Sequence, residues 1–133
     1  MATFEEHCRD CERLLGTPCK LVHHWLDQFA FKLGALHRFK RHHDLGVAEA
    51  SRLYGNLGRQ AALIHILKDC GHIPTANAWK EQRVDSLGFD PKTSFNGYWD
   101  PQEFDRIAKK MCRLFEDTIE VRHEPLRSGE IEL

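Results

Sequence analysis

The chain has 133 residues and a formal net charge of −1, from nineteen Lys+Arg against twenty Asp+Glu. That length fits one domain able to bury its own core, and the charge balance argues against a globally basic nucleic-acid or membrane-surface binder. Hydrophobic residues make up 41% and charged residues 29%, an ordinary globular composition, and no apolar run approaches the ~18 residues that a membrane helix needs.

The first helix opens at Thr3, with Glu6 in capping-box spacing, and carries Phe4, Cys8, Cys11 and Leu15 on one stripe. Gly16 suits its C-cap and Pro18 stops continuation. A long second helix is predicted from about Lys20 to His43, with Val22, Leu26, Phe29, Leu33 and Leu36 as its seam. A short helix from Leu45 to Tyr54 follows, then a loop over Gly55-Asn56-Leu57-Gly58. The segment Arg59–Cys70 is apolar on most sides, which marks a central, buried helix. Gly71 and Pro74 end it, and Thr75 is placed to cap a fifth helix carrying Trp79 and Val84.

Residues 87–99 read as irregular, with Phe89, Phe95, Tyr98 and Trp99 expected to plug one end of the molecule. Asp100-Pro101-Gln102-Glu103 supplies a cap, an N1 proline and a capping-box Glu for a last helix. Its 3.6-residue stripe runs Phe104, Ile107, Ala108, Met111, Leu114, Phe115. No segment alternates as a strand would. The expectation is an all-α bundle of five to six helices over residues 1–122, with a polar, flexible tail at 123–133. The N-terminus lacks a secretory pattern, and the five cysteines read as reduced thiols, so a cytoplasmic location is expected.

The chain has nine histidines, and four candidate chemistries follow from where they and their neighbours fall. Cys8 and Cys11 form a Cys-x2-Cys beside His7 that Cys70 and His72 could close into a zinc site. Because these cysteines continue apolar stripes, core packing is preferred for them. A polar stripe on the long helix holds His23, Asp27, His37 and Arg41, with small Ala30 and Gly34 between. On a continuous helix His23 and His37 stand about 21 Å apart, too far to share an ion. That ruler pairs His23 with Asp27 at one end and gathers His37, Arg41, His42 or His43, His65 and Asp69 at the other. Imidazoles with carboxylate suit Zn, Mn or Fe, and His37, His42, His65 and Asp69 are the predicted metal ligands. His7, His24, His72 and His123 read as surface or loop residues.

The dipeptide His43-Asp44 resembles the His-Asp dyad of metal-dependent phosphohydrolases, with His24 and Asp69 cast as the upstream and downstream partners. Lys32, Arg38, Lys40 and Arg41 concentrate charge on one half of the long helix. Compensation of the helix dipole is preferred there over binding of nucleic acid or a nucleotide. Arg38 and Arg41 are the candidates for holding an anion.

Three runs carry a wider likeness: His23-x-Trp25-Leu26-Asp27, His37-Arg38-x3-His42-His43-x2-Gly46, and His65-x3-Asp69-x-Gly71-x-Ile73-Pro74-Thr75-x3-Trp79. Over residues 22–80 the chain resembles an uncharacterised family of small bacterial and phage helical proteins. Ala78 departs from the acidic residue expected before the Trp. The resemblance implies no named reaction, but it falls on the same His and Asp positions. The reading is a small helical protein with a divalent-metal site, acting as a metal-dependent hydrolase on a phosphorylated substrate. The alternative is a non-enzymatic module with a protein partner or homo-oligomeric contact, in which the His/Asp pairs are structural.

Overall fold

The computed structural model describes residues 2–121, all helix, turn and loop without a strand among them. The expected tail at 123–133 lies outside the described residues. No helix is long and apolar enough to cross a membrane among the described residues.

Helix α1 spans Phe4–Leu15 with the caps its sequence announces. Thr3 Oγ1 accepts from the Glu6 amide at 3.1 Å, and Gly16 closes the helix at φ +84°. The face it turns inward is partly polar, with His7 and Asp10 buried alongside Cys11.

The long second helix does not form. In its place stand α2 (Lys20–Leu26), α3 (Ala30–Leu33), a 3-10 turn (Gly34–Leu36) and α4 (His37–Arg41). Gly34 sits at φ +60°, ψ −136°, a backbone open to glycine and costly for other residues, so helical continuation stops there. The break returns the chain on itself. Asp27 and His37, about 15 Å apart on a straight helix, meet with Asp27 Oδ1 3.0 Å from His37 Nε2.

The next two expected helices are one element, α5 (Asp44–Cys70), bent at Gly55 (φ 74°, ψ −162°). The loop expected over 55–58 contracts to that single residue. A Cβ on Gly58 would lie 2.6 Å from the Ala50 carbonyl oxygen, whereas eight residues along a straight helix span about 12 Å. The two arms therefore turn sharply on each other at Gly55, and at the joint they approach closely enough to demand glycine at position 58. The second arm is the central helix the sequence indicates. Leu63, Ile64, Ile66 and Leu67 are buried along it, and α5 packs against α1, α2, α4 and α7.

Helix α6 (Ala76–Lys80) is capped by Thr75 Oγ1, which accepts from Ala78 N at 2.9 Å; Val84 falls beyond its end. Helix α7 (Pro101–Val121) starts where Asp100 Oδ2 accepts from Glu103 N at 3.0 Å. Buried Arg59 donates to the Cys112 carbonyl at 3.0 Å and ties α7 to α5. Of the aromatic loop, Phe95 lies against Gly71, and Trp99 packs on Phe104 at 5.3 Å with its Nε1 donating to the Leu67 carbonyl. Those two rings close the end of the molecule as expected, whereas Tyr98, 81% exposed, does not join them.

Candidate metal centre

Among the described residues six histidines are buried: His7, His23, His37, His42, His43 and His65. An interior with that many imidazoles is unusual, because a buried polar ring must be partnered to be tolerated. For His7, His37, His42 and His65 the partners are two carboxylates, while His23 leans on His65 and His43 on backbone groups. Asp27 arrives from the C-cap of α2 and Asp69 from the last turn of α5.

Four donor atoms close a ring. His42 Nε2 is 3.2 Å from Asp69 Oδ2, which is 3.4 Å from His65 Nε2. His65 Nε2 is 3.1 Å from Asp27 Oδ1, which is 3.6 Å from His42 Nε2. All four donors lie within 4.8 Å of one another, and among the described residues this is the one His/Cys/Asp/Glu group able to hold an ion. Bonds of about 2.1 Å imply ligand-to-ligand edges of roughly 3.4 Å around a tetrahedral ion and roughly 3.0 Å around an octahedral one. The alternating N, O, N, O ring has the size and chemistry of a divalent cation site.

Around the ring stand further imidazoles. His37 donates from Nδ1 to the Gly34 carbonyl at 2.6 Å and faces Asp27 Oδ1 through Nε2. The Nδ1 atoms of His23 and His65 are 2.9 Å apart, so one ring donates to the other. His7 stacks on His65 with centroids 3.6 Å apart, its Nε2 3.3 Å from Asp69 Oδ1 but out of line for a hydrogen bond. Arg38 donates to the Asp69 and Leu87 carbonyls and brings Nη2 to 3.7 Å from Asp69 Oδ1.

The electrostatics follow from burial against charge. Burial opposes the charged form of His65, but Asp27 and then Asp69 outweigh it and push this ring up to about 9. Burial pushes His42 down to about 4 against the pull of Asp69. Burial, His65 and His7 together push His23 down to about 3. Burial alone would raise both carboxyls; His65 and His37 override it at Asp27, and His42, His65 and His7 override it at Asp69, so both stay well below the usual range. Two carboxylates thus share the protonated His65 imidazole, with His7, His23 and His42 held neutral beside it.

Several sequence expectations change. His23 and Asp27 do not form a separate pair: both touch His65, because the break in the chain defeats the axial ruler. His37 reaches the ring through Asp27, while His42 and His65 and Asp69 come together as expected. His7 is not a surface residue but fully buried in the stack. The His43-Asp44 dyad is structural. His43 caps α5 by accepting from Gly46 N at 3.0 Å, Asp44 Oδ1 accepts from Ala76 N at 2.9 Å, and His24 lies exposed, stacked on Phe4. Cys8, Cys11, Cys70 and His72 do not converge; Cys11 and Cys70 are core residues.

Arg41 turns inward, donating to the Trp25 carbonyl and Gln28 Oε1 beneath the Trp25 and Phe29 rings. Arg38 is buried too, so Lys32, Arg38, Lys40 and Arg41 share no exposed basic face. The signal for Asp27 was in the sequence, since it ends the His23-x-Trp25-Leu26-Asp27 run. The signal for His7 was its place one turn before Cys11 on the inward stripe. No family model, curated protein or solved structure matches this chain.

Proposed function

We propose that this protein binds a divalent transition metal through Asp27, His42, His65 and Asp69, and that it hydrolyses a phosphorylated substrate there. The observation that carries the reading is the closed four-donor ring, with edges of 3.1 to 3.6 Å. Two imidazoles with two carboxylates favour Zn, Mn or Fe over Ca or Mg, whose ligands are oxygen throughout. A bound ion supplies Lewis acidity and a lowered pKa for coordinated water. The chain's own residues supply the rest. His23 fixes the His65 ring from behind, Asp27 keeps part of its side chain open to solvent (28%), and Arg38 sets a guanidinium beside Asp69.

Burial supports a second reading, in which the same ion only knits helices together, since His42 and His65 are sealed from solvent. One experiment separates these. Protein purified and titrated with Zn, Mn or Fe is assayed for metal content, melting temperature and release of phosphate from a panel of phosphomonoesters. The hydrolase reading expects about one ion per chain and turnover that chelator removes and metal restores. A stoichiometric ion that raises the melting temperature without turnover leaves the structural reading. Metal-free protein with a melt indifferent to chelator overturns both.

A further inference from the structure

Beside the ring, a cleft of about 400 Å³ opens between the start of α1, the end of α5 and the aromatic loop. Asp69 belongs to both: Oδ2 faces the ring, while its residue also lines the cleft with Arg38 and Lys68. On another wall stand Phe89, Tyr98 and Trp99. We infer that this cleft is the substrate subsite of the proposed centre and takes a nucleoside monophosphate, phosphate toward Arg38 and base against Tyr98. The inference rests on the metal reading above.

Charge supports the phosphate end. In the metal-free chain Arg38 and Lys68 are offset within the cleft by Asp69 and Glu6, and Lys68 also meets Asp10 Oδ2 at 3.4 Å. A divalent ion taking up the charge of Asp69 tips the balance to positive, so anion binding is coupled to metal loading. Arg38 is 2% exposed and its Nε, although buried, has no hydrogen-bond partner. A guanidinium that lines a cleft and has a donor to spare suits a phosphate oxygen.

Shape supports the base. Phe89 and Trp99 are each braced by Phe95, at 5.0 and 5.3 Å, and Trp99 is pinned by its bond to the Leu67 carbonyl. Tyr98 is 81% exposed, a large ring held out at the cleft wall with its amide tied to Asn96 Oδ1. Aromatic rings that leave a face open stack on bases of any sequence. The cleft volume lies within the ~300–1,000 Å³ range of small-ligand pockets.

The test is calorimetric titration of the full chain, metal-loaded and chelated, with adenosine 5′-monophosphate, ribose 5-phosphate, inorganic phosphate and adenosine, metal content being measured in the same samples. The loaded protein is expected to bind the nucleotide roughly tenfold or more tightly than ribose 5-phosphate, the margin that stacking confers. Tyr98→Ala is expected to erase that margin and leave ribose 5-phosphate binding in place, and chelation to weaken every phosphate ligand. Loaded protein that binds the nucleotide no better than ribose 5-phosphate overturns the cleft inference and leaves the metal reading intact. Equal nucleotide affinity in chelated protein overturns the proposed coupling to the ion. Failure of the chain to take up any of the three metals overturns the reading of the ring, and the cleft inference with it.

Discussion

Metal uptake at this centre should release one proton. In the metal-free protein His65 is pushed up to about 9 by Asp27 and Asp69, so at neutral pH its ring is charged. An ion at Nε2 must displace that hydrogen, because only the deprotonated nitrogen is a ligand. His42 is already neutral, at about 4, and both carboxylates are ionised. Two pH units below 9, the competition weakens metal binding by about 100-fold, or about 2.7 kcal/mol, and each unit of pH between 6 and 8 changes the dissociation constant about tenfold. The same group acts oppositely on the metal-free fold. Its raised pKa contributes up to about 3 kcal/mol that is fully present below pH 6.5 and lost as pH climbs through about 9. Chelator should therefore depress the melting temperature far more at pH 8.5 than at pH 6. Calorimetric titration of zinc in buffers of different ionisation enthalpy counts the proton directly. A dissociation constant that does not move between pH 6 and 8, or no proton exchanged with buffer, would refute this account of the ring.

Three further outcomes are expected. Gly46→Ala should destabilise the protein by about 3 kcal/mol or more in urea titration and abolish metal uptake, because its Cβ would lie 1.9 Å from the Arg41 carbonyl oxygen and drive His42 from the ring. His23→Phe should lower metal affinity by about 10- to 100-fold while His23→Gln recovers part of it, since the ring that accepts from His65 Nδ1 sets which nitrogen is left for the ion. Arg59→Ala, which strips the buried donor from the Cys112 carbonyl, should cost about 3 kcal/mol on thermal melting with little change in zinc affinity, because that contact lies apart from the ring.

The fold was legible wherever local chemistry decides it. Thr3, Gly16, Thr75 and Asp100 cap the helices they announce, and the apolar run from Ala61 to Leu67 is the buried centre. The continuous helix across residues 27–37 failed because its apolar seam keeps helical spacing through Leu33 and Leu36 while its backbone turns at Gly34. Nothing in the periodicity records that the histidines behind the seam do better buried with carboxylates than exposed. That error carried into the site. His42, His65 and Asp69 were found because they sit at one end of adjacent elements. Asp27 was assigned elsewhere by a ruler that assumes an unbroken helix, and His7 was set aside because the apolar stripe alone was followed, although His7 stands one turn before Cys11.

The break at Gly34 also bears on when the centre can exist. Its four donors come from three separate stretches of chain, and Asp27 and Asp69 are 42 positions apart. An unfolded chain holds no such ring, so an ion meets it only once those stretches are already together. An ion bound there would act as a cross-link among the end of α2, the end of α4 and the second arm of α5, closing two long loops. A covalent bridge closing a loop of comparable length contributes about 3 kcal/mol by restricting the unfolded chain. Coordination here would act in the same direction, so the break that hides the site from a helical reading is also what would let a bound metal hold the fold shut.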